Sequence, residues 1–358
     1  MTKGVPNTKD PTSLLPSLPR DAEILVIRLK SLGDVVLLTP ALTALHAWRP
    51  DLRLSVLVEP AFAAVLEGNP AVSEVLMMGR FLSTARALRR RRFPVTFNQH
   101  GGPSSALLTA ATRSPVRVCW AGSQLPFLYN VLASPPSEFF GRDQVHTVEH
   151  RMTQFYAAGM PRGQIPPMSV FPSPKGIAAA RDALSSHGIP PTQPYAVLHP
   201  GAAFFTRRWA IEGYAELARW LRVARGVAPV VILGPGDAEI ATPVRAAAGA
   251  HAVVLEGLDL RTLIGLIAGT RLFVGHDTGP THIAVAARRP VVMIFGSSSS
   301  VKWRPWNGPH RVVQNDFPCN PCPGDRCYAF AQPQCILSVT FEQVRDACDA
   351  LLAVPSLS

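Results

Sequence analysis

Short runs of β-branched and other apolar residues recur along the chain, each broken by a glycine, a proline or a charged turn. The first is EILVIRL, Glu23 to Leu29, which predicts a buried strand. KSLGD then turns the chain. VVLLTPALTALHAW predicts a helix disturbed at Pro40, where the ring removes a backbone donor and crowds the preceding turn. RLSVLVEP reads as a second strand, AFAAVLEGNP as a helix and VSEVLMM as a short strand. VTFNQ, a small-residue helix over Ser104 to Thr112, and VRVCW continue the alternation, which is that of an open α/β sheet.

Prolines 161, 166, 167, 172 and 174 then cluster in PRGQIPPMSVFPSPKG, which predicts a crossover or linker. After one helix and SHGIPPTQP the pattern restarts. YAVLHPGA is a strand and loop, Ile211 to Val223 a helix, and APVVILGPGD a strand and loop. HAVVLEG, a helix near Leu260 to Ala268, RLFVGHD, a helix after Pro280, and PVVMIFG complete a second unit. No short repeat is present. The repetition is architectural, two similar-sized α/β halves with a cleft expected between them. The boundaries read as a flexible leader over 1–20, a first domain over 21–175, and a second over 176–358 with a C-terminal helix.

Size and composition suit two cores: 358 residues, 47% of them hydrophobic. Charged or polar residues interrupt each hydrophobic run before membrane-spanning length. MTKGVPNTKDPTSLLPSLPR has no signal-like apolar core, so a cytoplasmic protein is expected. The net charge of +11 is uneven, because residues 1–175 carry 19 basic and 11 acidic side chains and the remainder 16 and 13. The densest patch is RALRRRRF, Arg86 to Phe93. It reads either as a solvated helix surface or as a face for an anionic membrane, a polyanionic substrate or nucleic acid. No zinc-finger or RNA-binding signature accompanies it, so no specific nucleic acid is expected.

FVGHDTGPTHIAVA, Phe273 to Ala286, carries more hydrogen-bonding equipment than a plain strand-to-helix junction needs. Gly275 and Gly279 permit close backbone approach, and the helix start offers unpaired N–H groups to an anion. Asp277 and Thr278 can bind hydroxyls or phosphate oxygens, or simply cap the helix.

GHDTGPTHIAVAARRPVVMIFGSS resembles the donor-site region of glycosyltransferase family 9, the ADP-heptose:lipopolysaccharide heptosyltransferases. ILVIRLKSLGDVVLLTPAL and HPGAAFFTRRWAIEGYAELA resemble two further stretches of that family, in the expected order. Together they span roughly residues 23 to 350. The resemblance implies a GT-B fold, two Rossmann-like domains facing a central cleft, the first for the acceptor and the second for the nucleotide sugar.

The resemblance also implies roles. Asp34, in SLGDVV, is the implied general base for the acceptor hydroxyl, although a helix start favours its ionised form and weakens it as a base. Arg207 stands where the family commonly has a phosphate-contacting Lys, with Arg208 the next basic position; arginine keeps the charge but brings a planar fork. Thr206 either assists the phosphate or caps the helix. Asp277 is implied to orient sugar hydroxyls, Thr278 and Gly279 to approach the diphosphate, and His282 to complete that site. Glu239 is a ribose candidate or a solvated first-turn residue. His276 reads as a strand-end hydrogen-bonding group.

Cys319, Cys322, Cys327 and Cys335 fall within one loop, CNPCPGDRCYAFAQPQC. Four thiolates can hold a structural zinc or iron; reduced thiols or a disulfide-capable loop is the other reading. The implied transfer needs no metal. The expected function is inverting transfer of heptose from ADP-heptose to a lipopolysaccharide inner-core sugar on a lipid-linked acceptor, with peripheral contact at the cytoplasmic face of an anionic inner membrane. Protein O-heptosyl transfer and a non-catalytic carbohydrate- or polyanion-binding protein are the alternatives.

Overall fold

The structure, a computed structural model, describes residues 10–353. It divides into two compact units, Met1–Ser169 and Val170–Ser358. That division lies six residues before the expected 175.

The first unit has strands β1 (Glu23–Ile27), β2 (Arg53–Val58), β3 (Glu74–Met77), β4 (Val95–Asn98), β5 (Val116–Trp120) and β6 (Val131–Ala133). All pair in parallel, in the order β3-β2-β1-β4-β5-β6. Its helices are α1 (Leu32–Val36), α2 (Thr39–Trp48), α3 (Phe81–Arg91), α4 (Pro103–Ala111), α5 (Pro136–Phe140) and α6 (Thr147–Ala157). Helices on both faces explain why β1 and β4 are buried almost throughout: β1 reads as an apolar run after Glu23, and β4 takes Thr96 and Asn98 inside with hydrogen-bond partners. Leu25, Ile27, Leu57, Leu88, Phe93 and Leu108 form one core between the sheet and α3 and α4.

The single helix expected around Pro40 is two. α1 ends at Val36, and α2 restarts with Pro40 in its first turn, where a missing N–H costs nothing. The helix expected over AFAAVLEGNP is a 3-10 segment, Pro60–Val65. The flexible leader is corrected from residue 10 onward. Leu14, Leu15 and Leu18 are buried, the Leu15 N–H donates to the Ala158 carbonyl at 2.9 Å, and Arg49 donates to the carbonyls of Leu15 and Leu18. Gly159 makes this contact sterically feasible: its φ is +96°, and a Cβ there would lie 1.9 Å from the Thr12 carbonyl oxygen. Residues 1–9 lie outside the described residues.

The second unit repeats the plan with β7 (Tyr195–His199), β8 (Ala228–Leu233), β9 (Val253–Glu256), β10 (Leu272–His276), β11 (Val291–Ile294) and β12 (His310–Val313). The order is β12-β11-β10-β7-β8-β9, again all parallel. Its helices include α7 (Pro174–Ser186), α8 (Ile211–Arg225), α9 (Ala238–Ala248), α10 (Leu260–Gly269) and α11 (Gly279–Ala286), and the expected C-terminal helix is Phe341–Leu352. Ala196, Leu198, Leu217, Val274, Val292 and Val344 lie in its core. Each unit is thus Rossmann-like. Among the described residues no helix is long and apolar enough to cross a membrane.

Candidate active site

In each sheet the connections leave in opposite directions from two neighbouring central strands, β1 and β4 in the first unit, β7 and β10 in the second. Open α/β sheets bind ligands at this switch point, beyond the carboxyl ends of the strands.

At the first switch point, the loop after β1 carries Asp34 into the first turn of α1. Arg28 Nη2 lies 2.5 Å from Asp34 Oδ2 and Arg151 Nη2 lies 2.6 Å from Oδ1. Ser31 donates a third bond at 3.0 Å. Both arginines are buried, and both also donate to the Gln99 carbonyl beyond β4, at 2.6 and 2.9 Å. Gln99 returns a bond from Nε2 to the Arg151 carbonyl. Burial works to raise the Asp34 pKa, but Arg151, Arg28 and Ser31 together hold it below the ordinary carboxylate value. Burial and the like charge of Arg151 push Arg28 down to about 9. Two cations against one carboxylate leave surplus positive charge here, a setting for an anionic group. Half-buried His100 shares it, and burial and Arg28 lower its pKa.

At the second switch point, His199 ends β7 and faces Thr278 after β10, with Nδ1 and Oγ1 3.1 Å apart. The other ring nitrogen lies 3.4 Å from Asp237 Oδ2. Asp237 accepts the Gly234 N–H at 2.7 Å; burial raises its pKa, but His199, Gly234 and Arg208 outweigh burial and lower it. A Cβ on Gly201 would meet the Asp237 carboxylate at 2.0 Å, so this packing requires glycine. Asp277 lies 3.7 Å from Arg207 Nη1 and 3.4 Å from His282 Nε2. The Arg207 guanidinium stacks over Phe204 at 5.0 Å, and its enclosed Nε has no partner. Gly279 is the first residue of α11; the N-cap hydroxyl of Thr278 does not cap the helix but meets His199 and Thr281. His276 is a framework residue. Its Nε2 accepts the Trp209 N–H at 2.8 Å, its Nδ1 meets the Gly201 carbonyl, and complete burial lowers its pKa to about 3, so the ring is neutral.

The remaining expected donor residues are placed differently. The Thr206 hydroxyl is buried and spent on the Gly324 carbonyl and Ser297. Arg208 pairs with Glu239 and donates to the Ala202 carbonyl, so these two side chains satisfy each other. The loop that holds Gly324 is the cysteine loop. Its Cys322 N–H donates to the Ser297 carbonyl and its Asn320 amide to the Gly296 carbonyl, bracing the loop that follows β11. Cys319, Cys322, Cys327 and Cys335 line one small gap there, and burial together with the neighbouring thiols raises the Cys335 pKa. All are free thiols. Among the described residues, no three His, Cys, Asp or Glu form a group that could hold a metal ion, so the zinc or iron reading finds no support.

Sequence reading missed Arg28, Arg151, Gln99, His100, His199 and Asp237. Arg28 and His199 stand inside the quoted motifs and announce themselves only as strand-end polar residues. Arg151 is 117 residues from Asp34 and reaches it from α6, a helix no local pattern marked.

The profile described as "Glycosyltransferase family 9 (heptosyltransferase)" matches residues 81–329. Lipopolysaccharide heptosyltransferase 1 of Pseudomonas aeruginosa is 26% identical, over 93% of this chain and 98% of the relative. Lipopolysaccharide heptosyltransferase 2 of Salmonella typhimurium is 25% identical, over 82% and 88%. Among solved structures, a glycosyl transferase family 9 protein from Veillonella parvula superposes with TM-score 0.81 at 21% identity, covering 93% of this chain and 98% of that one. The E. coli ADP-heptose lps heptosyltransferase II gives 0.77 at 24%, with 92% and 98% covered.

Proposed function

The chain belongs to glycosyltransferase family 9, and from that premise we propose that it transfers a heptose from ADP-heptose to an inner-core sugar of lipopolysaccharide, inverting the anomeric centre. Two of the relatives above are named lipopolysaccharide heptosyltransferase, which supports heptose as the transferred sugar and lipopolysaccharide as the acceptor. One observation carries the reading: a carboxylate held ionised at one switch point, and a partly exposed, under-partnered arginine beside a helix N-terminus at the other.

In the proposed reaction the first unit binds the acceptor, and Asp34 receives the proton of its hydroxyl. The flanking arginines make Asp34 a weak base at rest. A weak base suffices when the proton leaves late, because the hydroxyl grows acidic as its oxygen bonds to the anomeric carbon. Arg28, Arg151 and Ser31 fix the carboxylate, and their surplus charge suits an acidic acceptor sugar. The bond from that carbon to the diphosphate breaks as the new one forms, and ADP departs. Arg207 and the backbone at Gly279 offset the charge that grows on the diphosphate, while Asp277 and His282 orient sugar hydroxyls. Thr206 and the cysteine loop act as support. No step calls for a metal. The site of action is proposed as the cytoplasmic face of the inner membrane, where a lipid-linked acceptor is presented.

Incubating the protein with ADP-heptose and separated core-oligosaccharide and protein acceptors tests this. Mass spectrometry should find one heptose added to the oligosaccharide, with ADP released in equal amount. Addition only to protein, or ADP release without a glycoside, would overturn the reading.

A further inference from the structure

We propose that the outer face of α3, with the loops at its two ends, docks the protein on an anionic phospholipid bilayer. Residues 75–137 contain eight arginines and no acidic side chain. On α3, Thr84 and Leu88 are buried, while Phe81 and Ala85 pack against the core. The opposite face and the flanking turns expose Arg80, Arg86, Arg89, Arg90 and Arg92. Arg91 alone is neutralised, by Glu23 and Glu74. The arginines thus form one face of unopposed positive charge, the complement of an anionic leaflet.

Apolar groups distinguish a bilayer from a soluble polyanion. Met77 and Leu82 are 64% and 67% exposed at the start of α3, against a groove of about 320 Å³ lined by Leu76, Met77, Ser83, Ala87 and Arg91. Helix α4 packs beside α3 and exposes Leu107, and the turn after it exposes Arg113. Arginines interleaved with exposed aliphatic side chains are what an interfacial helix presents to headgroups and acyl chains. Placement agrees: Met77 ends β3 and Leu82 opens α3, at the same carboxyl edge of the sheet as Asp34. Only this link to the acceptor rests on the transferase reading; the docking itself does not.

The test is flotation of the full chain with phosphatidylcholine vesicles, with or without phosphatidylglycerol. Binding should require phosphatidylglycerol and weaken with salt. The triple variant Arg86→Glu, Arg89→Glu, Arg90→Glu should bind at least about 100-fold more weakly, since each charge near an anionic leaflet is worth roughly fivefold. Met77→Ser with Leu82→Ser should also reduce binding, with every charge retained. Transfer to a soluble, delipidated acceptor should be unchanged in both, which separates loss of docking from failure of the transferase reading. Equal vesicle binding by wild type and the triple variant would overturn the proposal. So would full binding by the Met77/Leu82 variant, with heparin competing as well as vesicles do, because the face would then be a general polyanion site.

Discussion

Both sheets have the same strand order, and each brings an aspartate to its switch point, yet the two aspartates are held differently. Asp34 sits between two buried guanidinium groups at 2.5 and 2.6 Å, with a serine as third donor. Asp277 meets Arg207 and His282 only at 3.7 and 3.4 Å, and Arg207 keeps an unpartnered nitrogen. The first arrangement is closed and fixes one carboxylate in one state. The second is loose, with hydrogen-bonding capacity left for a ligand. A shared topology therefore sets where the chemistry sits, and side chains arriving from other elements decide which chemistry it is.

The largest effect should come from the closed site. Asp34→Asn keeps size and polarity but cannot take the proton, so single-turnover transfer should fall by about 100-fold or more, the usual scale of acid–base catalysis. Folded Asp34→Asn with near-normal transfer would remove the base assignment. Next, Arg207→Ala should weaken ADP binding by roughly 10- to 150-fold, the equivalent of about 1.5–3 kcal/mol for a charged hydrogen bond. Arg207→Lys should keep more of the affinity. Equal affinities in all three proteins would remove Arg207 from the phosphate site.

A smaller, pH-dependent effect separates the two sites further. Because the folded pKa of Asp34 is lowered, its contribution to stability is full above the unfolded carboxylate value of about 4 and is lost as pH falls through the lowered value. Arg151→Met removes one of the two charges that hold it down. The acid limb of the transfer profile should then move to higher pH, and the urea midpoint at neutral pH should fall; an unmoved acid limb would contradict the coupling. Smallest of the substitutions is Glu239→Gln. An exposed ion pair with Arg208 is worth about 0–1 kcal/mol, so donor affinity should change by less than about fivefold. A larger loss would support Glu239 as a ribose contact.

What the sequence disclosed divides along similar lines. The strand and helix alternation, both switch-point loops and the main motifs were legible, because buried parallel strands and their turns leave local signatures. The tethering of 10–18 was not, since Leu14, Leu15 and Leu18 acquire a place only once α6 is folded. Neither was the Arg208–Glu239 pairing, nor the Arg151–Asp34 pair, because these join residues from different elements. Motif spacing located the carboxylates; it could not tell which charges would surround them.

On the proposed mechanism the two units divide the labour, acceptor activation in the first and donor binding in the second. Calorimetric titration of folded Asp34→Asn with ADP tests it most directly. Affinity should stay within about twofold of wild type, because a group acting only on the acceptor proton contributes nothing to donor binding. A loss of ADP affinity as large as the loss of transfer would contradict it.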